Sequence, residues 1–285
     1  MPTVEVDGFE LAYEVVGEGQ PWVLTPGGRF TKEVGGLPEM ARALADQGRR
    51  VVTWDRPNCG ASSVAFAGRS ESEVQADALG ALLRHLDLGP TVIAGGSGGA
   101  RVSLLAAARN PDVTAGLAMW WVSGGVPGLL ALASFYCAPS FEAAWHGGME
   151  AVVQLDQWAE VLERNPGNRE RFLSMDRQEF LDVMSRWMLA YCPCDDSLVP
   201  GLDDADVARL EVPILVFRSG TTDMYHTRET SESLAANLPN AELVEPPWGD
   251  DEWNERGAEV EQTGSLFVRW PLLVPQLVEW ADRTI

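Results

Sequence analysis

Hydrophobic and polar positions follow two alternating patterns along this chain. Short runs rich in apolar and β-branched residues predict strands, and segments with apolar residues every three or four positions predict amphipathic helices. The predicted strands are Val4–Val6, Leu11–Val16, Trp22–Thr25, Arg50–Trp54, Thr91–Ala94, Gly116–Val122, Val212–Arg218 and Glu242–Glu245. The predicted helices outside residues 126–208 are Leu37–Gln47, Ser70–Leu86, Ala100–Arg109, Glu229–Leu238 and Pro271–Arg283. This alternation predicts an α/β fold with a mostly parallel sheet.

The pattern changes between the sixth and the seventh predicted strand. From Val126 to about Ala208 the periodicity is helical, and aromatic and methionine side chains are frequent. We therefore predict that a helical insertion interrupts the α/β core. The resulting division is residues 1–125 as the first part of the core, 126–208 as a helical cap and 209–285 as the second part of the core.

Composition and charge narrow the classes of partner. The chain has 285 residues, of which 46% are apolar and 22% charged, as is usual for a globular protein. Its 42 acidic and 21 basic residues give a formal net charge of −21, which disfavours nucleic acids and anionic membranes as partners. The expected partner is a small-molecule substrate, and a homodimer is left open. The sequence shows neither a signal peptide nor a membrane-spanning apolar run, and we expect a cytoplasmic protein.

The four cysteines raise the question of a metal or redox site. Cys192-Pro193-Cys194 has a one-residue gap, whereas paired zinc ligands are usually separated by two residues or more, and no second pair is present. We therefore predict no metal site and no cofactor, and interpret the thiols as buried or idle side chains in a reducing compartment.

The motif with the clearest chemical content is Gly95-Gly96-Ser97-Gly98-Gly99, between a predicted strand and a predicted helix. A serine on a sharp strand-to-helix turn needs small neighbours, and the turn exposes its hydroxyl as a nucleophile. The alternative is a glycine-rich turn that binds a phosphate or a dinucleotide. The segment lacks the G-x-G-x-x-G order and the early position of such sites, so the nucleophile hypothesis is favoured.

With this motif the sequence resembles the α/β-hydrolase family over nearly its whole length. Three further segments carry the resemblance: Leu24–Gly28 is similar to the family's oxyanion loop, Asp55–Ser62 to its Asp-Arg-Pro-Gly turn, and Leu215–Asp223 to the strand and loop that hold the acid of its catalytic triad. The resemblance implies a doubly wound sheet, a nucleophile at Ser97, oxyanion-binding amides at Gly28 and Gly98, and a cap that sets specificity.

The triad histidine of the family follows the last strand, and in this sequence Trp248 stands at that place. An indole cannot accept a proton, so it cannot be a general base. Trp248 is instead predicted to contact the substrate.

Other residues must therefore supply the base. Of the three histidines, His226 lies three residues after Asp223, near the expected site, and is the favoured base with Asp223 as its partner. His146 in the cap is an alternative, whereas His85 lies at a helix end far from the expected site. A carboxylate among residues 250–252 (Asp250, Asp251, Glu252) could serve if burial raised its pKa. Asp223 could also simply cap the following helix.

These observations predict a serine hydrolase that acts on an ester, a lactone or a related carbonyl bond. Tryptophans at the end of the sixth strand and in the cap (Trp120, Trp121, Trp145, Trp158, Trp187) suggest an aromatic pocket and hence a bulky apolar or aromatic substrate. Because the usual histidine is missing, two alternatives stay open. One is a non-hydrolytic lyase, isomerase or cyclase on the same scaffold. The other is a ligand-binding protein that has lost the triad.

Overall fold

Eight strands form one sheet in the computed structural model, which describes residues 2–192 and 199–285. The strands are β1 (Thr3–Val6), β2 (Phe9–Val16), β3 (Gln20–Thr25), β4 (Arg49–Trp54), β5 (Thr91–Gly96), β6 (Thr114–Trp120), β7 (Ile214–Phe217) and β8 (Ala241–Val244). Their order in the sheet is β1-β2-β4-β3-β5-β6-β7-β8. β1 and β2 pair antiparallel to their neighbours and all other pairs are parallel. The predicted mostly parallel α/β sheet is thereby confirmed.

The helices lie between the strands and at the end of the chain. They are α1 (Leu37–Ala45), α2 (Glu71–His85), α3 (Gly98–Arg109), α4 (Val126–Val152), α5 (Asp156–Arg164), α6 (Gly167–Leu173), α7 (Arg177–Ala190), α8 (Asp204–Val207), α9 (Arg228–Asn237), α10 (Glu252–Thr263) and α11 (Val274–Thr284). Short 3-10 helices occur at Pro111–Val113 and Trp270–Leu273. In the described ranges, no helix is long and apolar enough to cross a membrane.

Both faces of the sheet are buried, because successive side chains of a strand point to opposite sides. In β3, Val23 packs in one cluster with α2, α3 and α9, whereas Trp22 and Leu24 pack in a second cluster with α1 and α11. The two clusters make the sheet doubly wound. Such burial on both faces explains why the strands appear in the sequence as continuous apolar runs.

Local signals fix several boundaries. The Ser70 hydroxyl accepts a hydrogen bond from the backbone N–H of Glu73 at 3.2 Å and so caps α2, as its position before the helix predicts. The Glu73 carboxylate accepts a hydrogen bond from the backbone N–H of Arg69.

Helix α10 was not predicted from the sequence. Its sequence (EWNERGAEVEQT) has few apolar residues, so periodicity gave no signal, although Glu252 and Arg256 are buried on its inner face.

Helices α4 to α8 occupy the segment between β6 and β7, where the sequence predicts an insertion. Aromatic, methionine and valine side chains of α4 to α7 form a cluster of their own, joined by Val64, Phe66 and Val74 of the preceding part of the chain. We call residues 126–207 the helical insertion. It contributes Leu132, Tyr136 and Tyr191 to a cavity that also contains Ser97.

Candidate active site

Ser97 lies in the turn between β5 and α3 with a strained backbone. Its φ is 58° and its ψ is −129°, a region that residues other than glycine rarely adopt. Its N–H donates to the carbonyl of Trp120 on the neighbouring strand at 3.2 Å, which helps to hold this conformation. The turn leaves Ser97 partly exposed while the flanking strand and helix are buried.

The glycines around Ser97 allow close approach of the backbone. A β-carbon on Gly99 would lie 2.1 Å from the carbonyl oxygen of Thr25, and one on Gly95 would lie 2.7 Å from the carbonyl oxygen of Gly99. Neither distance is compatible with a side chain. The G-x-S-x-G pattern of residues 95–99 is therefore a packing requirement of this turn, as the sequence analysis predicts.

His226 and Asp223 meet Ser97 in a continuous hydrogen-bonded chain. The Ser97 Oγ lies 2.8 Å from His226 Nε2, and His226 Nδ1 lies 2.7 Å from Asp223 Oδ2. His226 and Asp223 are 6% and 5% exposed, so the chain is shielded from water beyond Ser97. This is the arrangement in which a histidine can take a proton from a serine while a carboxylate orients the ring.

The two oxygens of Asp223 have different partners. Oδ1 accepts hydrogen bonds from the backbone N–H groups of Tyr225 (2.9 Å) and His226 (3.0 Å), which closes the loop. Oδ2 contacts His226 Nδ1 and also accepts a 2.8 Å hydrogen bond from Arg256 Nη2. Asp223 does not cap the following helix, because Thr227 is the N-cap of α9. Its carboxylate closes the loop and contacts the histidine ring instead.

Burial and nearby charge set the protonation of this group. Burial lowers the pKa of His226 below its ordinary value, and the charge of Arg256 acts in the same direction. The hydrogen bond that His226 Nδ1 donates to Asp223 opposes both effects and does not outweigh them. Burial alone would raise the pKa of Asp223. The hydrogen bond with His226 and the charges of His226 and Arg256 outweigh it, so the pKa of Asp223 lies below its ordinary value. At neutral pH His226 is therefore a neutral base beside an ionised aspartate.

Arg256 and Glu252 from α10 complete the surroundings of Asp223. The Arg256 guanidinium lies over the Trp121 ring at 3.7 Å and over the Trp253 ring at 4.7 Å. Glu252 Oε1 is 3.4 Å from Arg256 Nε, and both side chains are buried. Burial raises the pKa of Glu252 to about 7. The sequence analysis missed Arg256, and a buried arginine near the carboxylates could only have been found once α10 was recognised.

The two candidate oxyanion amides belong to neighbouring backbone segments. A β-carbon added to Gly98 would be 3.3 Å from the backbone nitrogen of Gly28, and both glycines line the same cavity as Ser97. Arg56 holds the loop of Gly28 in place, because its Nη2 donates to the carbonyls of Gly27 (3.2 Å) and Gly28 (2.6 Å).

The turn at residues 55–62 has a structural role. Asn58 adopts a φ of 71°, as expected where a glycine is usual. Asp55 accepts hydrogen bonds from the N–H groups of Lys32 and Ala61 at 2.7 and 3.0 Å. The side chain of Asn58 also donates to Glu71 Oε1 at 2.9 Å, which ties the turn to the cavity beside Ser97.

The other candidate bases lie elsewhere. His85 and His146 are exposed, as are Asp250 and Asp251. Asp250 forms an ion pair with Arg228. Of the alternatives, Glu252 alone is buried near the site, where it lies behind Asp223 and contacts Arg256.

Trp248 follows β8 and is buried against Trp121, with ring centroids 5.6 Å apart. Trp121 in turn stacks on the His226 ring at 6.2 Å. Among the described residues, those that line the cavity at Ser97 do not include Trp248. Its contact with a substrate remains a prediction. Its observed contact is with Trp121, which lies against the His226 ring.

The cavity itself differs from the predicted aromatic pocket. Its volume is about 20 Å³, room for about one water molecule. The described residues that line it are mainly polar or charged and are Gly28, Arg56, Glu71, Ser72, Gln75, Ser97, Gly98, Arg101, Ser123, Leu132, Tyr136 and Tyr191. Trp158 and Trp187 pack around Phe66 instead, because the insertion needs a core of its own, and Trp145 is exposed.

Within residues 2–192 and 199–285, no three His, Cys, Asp or Glu side chains are arranged to hold a metal ion. Cys59 and Cys137 are buried free thiols. Cys192 is exposed, and Cys194 lies outside the described residues.

Comparisons with known proteins place this chain in a family. A family-level sequence model described as the alpha/beta hydrolase family matches residues 22–276, whereas the comparison with curated proteins gives no match. Among solved structures, an esterase from Thermogutta terrifontis is 22% identical with a TM-score of 0.60, covering 99% of both chains. The enol-lactonase from Burkholderia xenovorans is 22% identical with a TM-score of 0.55, covering 92% of this chain and 97% of its own. A bromoperoxidase from Bacillus anthracis is 19% identical with a TM-score of 0.54, covering 94% and 96%. These identities establish a shared fold, and the match over residues 22–276 shows that the chain belongs to the α/β hydrolase family.

Proposed function

We propose that this protein is a serine hydrolase that cleaves an ester or a lactone through Ser97. The observation that carries the proposal is the hydrogen-bonded chain from Ser97 Oγ through His226 to Asp223, with distances of 2.8 and 2.7 Å. Family membership supports hydrolysis in general, and similar folds occur in an esterase and an enol-lactonase.

In the proposed reaction, Ser97 Oγ attacks the carbonyl carbon while His226 Nε2 takes the serine proton. The amides of Gly28 and Gly98 would hold the negative oxygen of the tetrahedral intermediate, each typically contributing about 3–4 kcal/mol of transition-state stabilisation. His226 then gives its proton to the leaving alcohol, and an acyl-enzyme on Ser97 remains. Water hydrolyses this ester by the same two proton transfers in reverse.

The surroundings support a small-molecule substrate. A pocket of about 680 Å³ is large enough for a small ligand. Its described lining includes Gly125, Leu129 and Thr227, the residue after His226 in sequence, but not Ser97. The helical insertion would act as a cap, since Leu132, Tyr136 and Tyr191 cover the cavity at Ser97. The polar lining argues for a substrate with a polar group near the scissile bond.

Labelling with a fluorophosphonate, read by intact mass, tests the nucleophile. We expect one adduct on the wild type, none on Ser97→Ala and a strongly slowed reaction on His226→Ala. Ser123→Ala is the matched control, because Ser123 lines the same cavity. In this variant the adduct on Ser97 should form at the wild-type rate. If the wild type forms no adduct, or the adduct persists in Ser97→Ala, the serine hydrolase proposal is wrong. The alternatives of a non-hydrolytic enzyme or a binding protein then take its place.

A further inference from the structure

Arg101 lies one helical turn after Ser97 and points into the same buried cavity. It belongs to α3, and its backbone N–H donates to the carbonyl of Ser97 at 3.5 Å. The residue is 4% exposed, and its side chain lines the cavity together with Ser97, Gly28 and Gly98. A guanidinium at this position is unexpected for a site that only has to accommodate an apolar ester.

The charge of Arg101 is only partly compensated. In the described part of the chain its hydrogen-bond partners are two neutral hydroxyls, Ser72 Oγ at 2.8 Å from Nε and Tyr191 Oη at 3.0 Å from Nη2. The guanidinium also lies 4.8 Å from the centre of the Tyr191 ring. Nη1 is buried and has no hydrogen-bond partner among residues 2–192 and 199–285. A buried cation is costly unless an anion or further acceptors compensate it, so the site is built to receive such a group.

The neighbouring charges are already engaged. Glu71, the acidic side chain in the cavity lining, accepts a hydrogen bond from Asn58 at 2.9 Å and pairs with Arg29 at 3.4 Å. Arg56 donates to the backbone carbonyls of residues 27, 28 and 30 and thereby supports the oxyanion loop. Arg56 Nε, like Arg101 Nη1, has no hydrogen-bond partner among the described residues. Arg101 differs from Arg56 because its described partners are side-chain hydroxyls and not the backbone of the oxyanion loop.

We propose that Arg101, through Nη1, binds a carboxylate group of the substrate while Ser97 attacks an ester or lactone carbonyl in the same molecule. The inference rests on the proposed function and adds the substrate class, namely monoesters or lactones of short dicarboxylic acids. Nη1 offers two N–H donors, which suit a carboxylate oxygen. The cavity that Ser97 and Arg101 share is small, so the acid chain of the substrate must be short.

The overall charge sharpens this inference. The chain carries a net charge of −21, so long-range attraction would draw cations and repel an anionic substrate. A preference for an anionic substrate must therefore come from a local contact. Arg101 is the residue whose removal should abolish it.

The first test compares hydrolysis of monoethyl glutarate with that of ethyl 5-oxohexanoate, in which a methyl ketone replaces the carboxylate. Acid release at constant pH gives kcat/KM for wild type, Arg101→Met and Arg101→Lys. Arg109→Met, on the same helix and paired with exposed Asp77, is the matched control. We expect the wild type and Arg109→Met to prefer the glutarate ester by about 100-fold. Arg101→Met should lose that preference through a fall in kcat/KM for the glutarate ester, and Arg101→Lys should keep part of it. Equal rates on both esters in the wild type would overturn the proposal, as would a preference that survives Arg101→Met.

The second test measures binding and does not need turnover. Its first comparison uses a variant that keeps Arg101, so it does not require an Arg101 variant to fold. Calorimetric titration of Ser97→Ala with glutarate and with neutral glutaramide measures the anion site directly. Glutarate should bind at least 10-fold more tightly, and Ser97→Ala/Arg101→Met should remove the difference. Ester hydrolysis without selective glutarate binding would refute the carboxylate site and leave the hydrolase proposal intact. Selective, Arg101-dependent binding without fluorophosphonate labelling would refute hydrolysis and leave the anion site intact.

Discussion

The loops after the last two strands of the sheet differ in what they bring to Ser97. The loop after β7, residues 218–227, contains both Asp223 and His226 in one hydrogen-bonded turn. The segment after β8, residues 245–256, brings Trp248 against Trp121 and then Glu252 and Arg256 behind Asp223. By resemblance to the family, the second segment would carry the histidine. Here the first loop holds the proposed proton-transfer pair, Asp223 and His226, and the second packs around it.

The three-residue spacing between Asp223 and His226 lets one short loop hold both residues. Asp223 closes a turn through Oδ1 onto the N–H groups of residues 225 and 226, and the same turn brings the His226 ring to Oδ2. The relation between acid and base is therefore local and does not depend on how the β8 segment is placed. That segment contacts the loop closely instead, since a β-carbon on Gly220 would be 2.5 Å from the carbonyl oxygen of Asp250.

Replacing the histidine of the β7 loop should have the largest effect. In His226→Ala, kcat for ester hydrolysis should fall by about 10⁵–10⁶-fold, because Ser97 loses its base and only the oxyanion amides and binding remain. Steady-state kinetics measures the loss, and added imidazole should restore part of the activity if the fold is intact.

Two other histidines provide matched controls for that experiment. His85→Ala and His146→Ala, both at exposed positions, should keep wild-type kcat. A large loss in His146→Ala with normal kcat in His226→Ala would move the base to the helical insertion and remove the contrast between the two loops.

The acid of the β8 segment should affect stability more than chemistry. Burial raises the pKa of Glu252 from 4.5 to about 7 in the folded protein, so the folded state binds a proton that the unfolded state releases between these two pH values. The free energy of unfolding should therefore fall as pH rises from about 4.5 to 7, by about 3 kcal/mol from this group. Glu252→Gln should remove this decrease and be the more stable protein above pH 7.

Urea unfolding at pH 5, 6, 7 and 8 measures how the free energy of unfolding changes with pH in the wild type and in Glu252→Gln. Glu255→Gln, an exposed position on the same helix, is the control and should keep the slope of the wild type. If the wild type and Glu252→Gln lose stability in parallel over this range, Glu252 is already ionised at pH 5 and its burial is not costly.

The sequence predicted the sheet, the Ser97 turn and the closeness of His226 to Asp223 because these depend on local patterns. Strand runs ended by glycine-rich turns fixed the position of Ser97, and the short spacing in sequence suggested that His226 accompanies Asp223. What it missed depends on tertiary contacts. Helix α10 has a polar sequence and buries charged residues, and Arg101 looks like any arginine in a helix until its neighbours are known. The tryptophans of the insertion led to the wrong expectation of an aromatic pocket for the same reason. Aromatic content does not show whether a ring lines a pocket or packs in a hydrophobic core.

Arg256 connects the two segments, and its removal should have a moderate effect that depends on pH. In Arg256→Met, Asp223 loses a charge-assisted hydrogen bond worth about 1.5 kcal/mol, and kcat/KM should fall about 10-fold. Because Arg256 lowers the pKa of His226, its loss should also raise that pKa and move the acid limb of the pH profile to higher pH.

The pH profile of kcat/KM distinguishes positioning from simple packing. The variant is best made in the Glu252→Gln background, so that no acid is left buried without its cation. A uniform loss with an unmoved acid limb would mean that Arg256 contributes only packing against Trp121 and Trp253.

Trp248 should show the smallest effect, because it packs behind the site. Trp248→Phe keeps an aromatic ring against Trp121 and should lower the free energy of unfolding by about 1 kcal/mol, with kcat/KM within about 3-fold of wild type. A rise in KM well beyond this would mean that Trp248 contacts the substrate, as the sequence suggested.

A second variant restores the family's histidine at this position in an inactive background. His226→Ala/Trp248→His should stay as inactive as His226→Ala, since the acid that orients the base lies in the other loop. Recovery of activity would show that the β8 segment can still reach Ser97, and that only the identity of residue 248 separates the two arrangements.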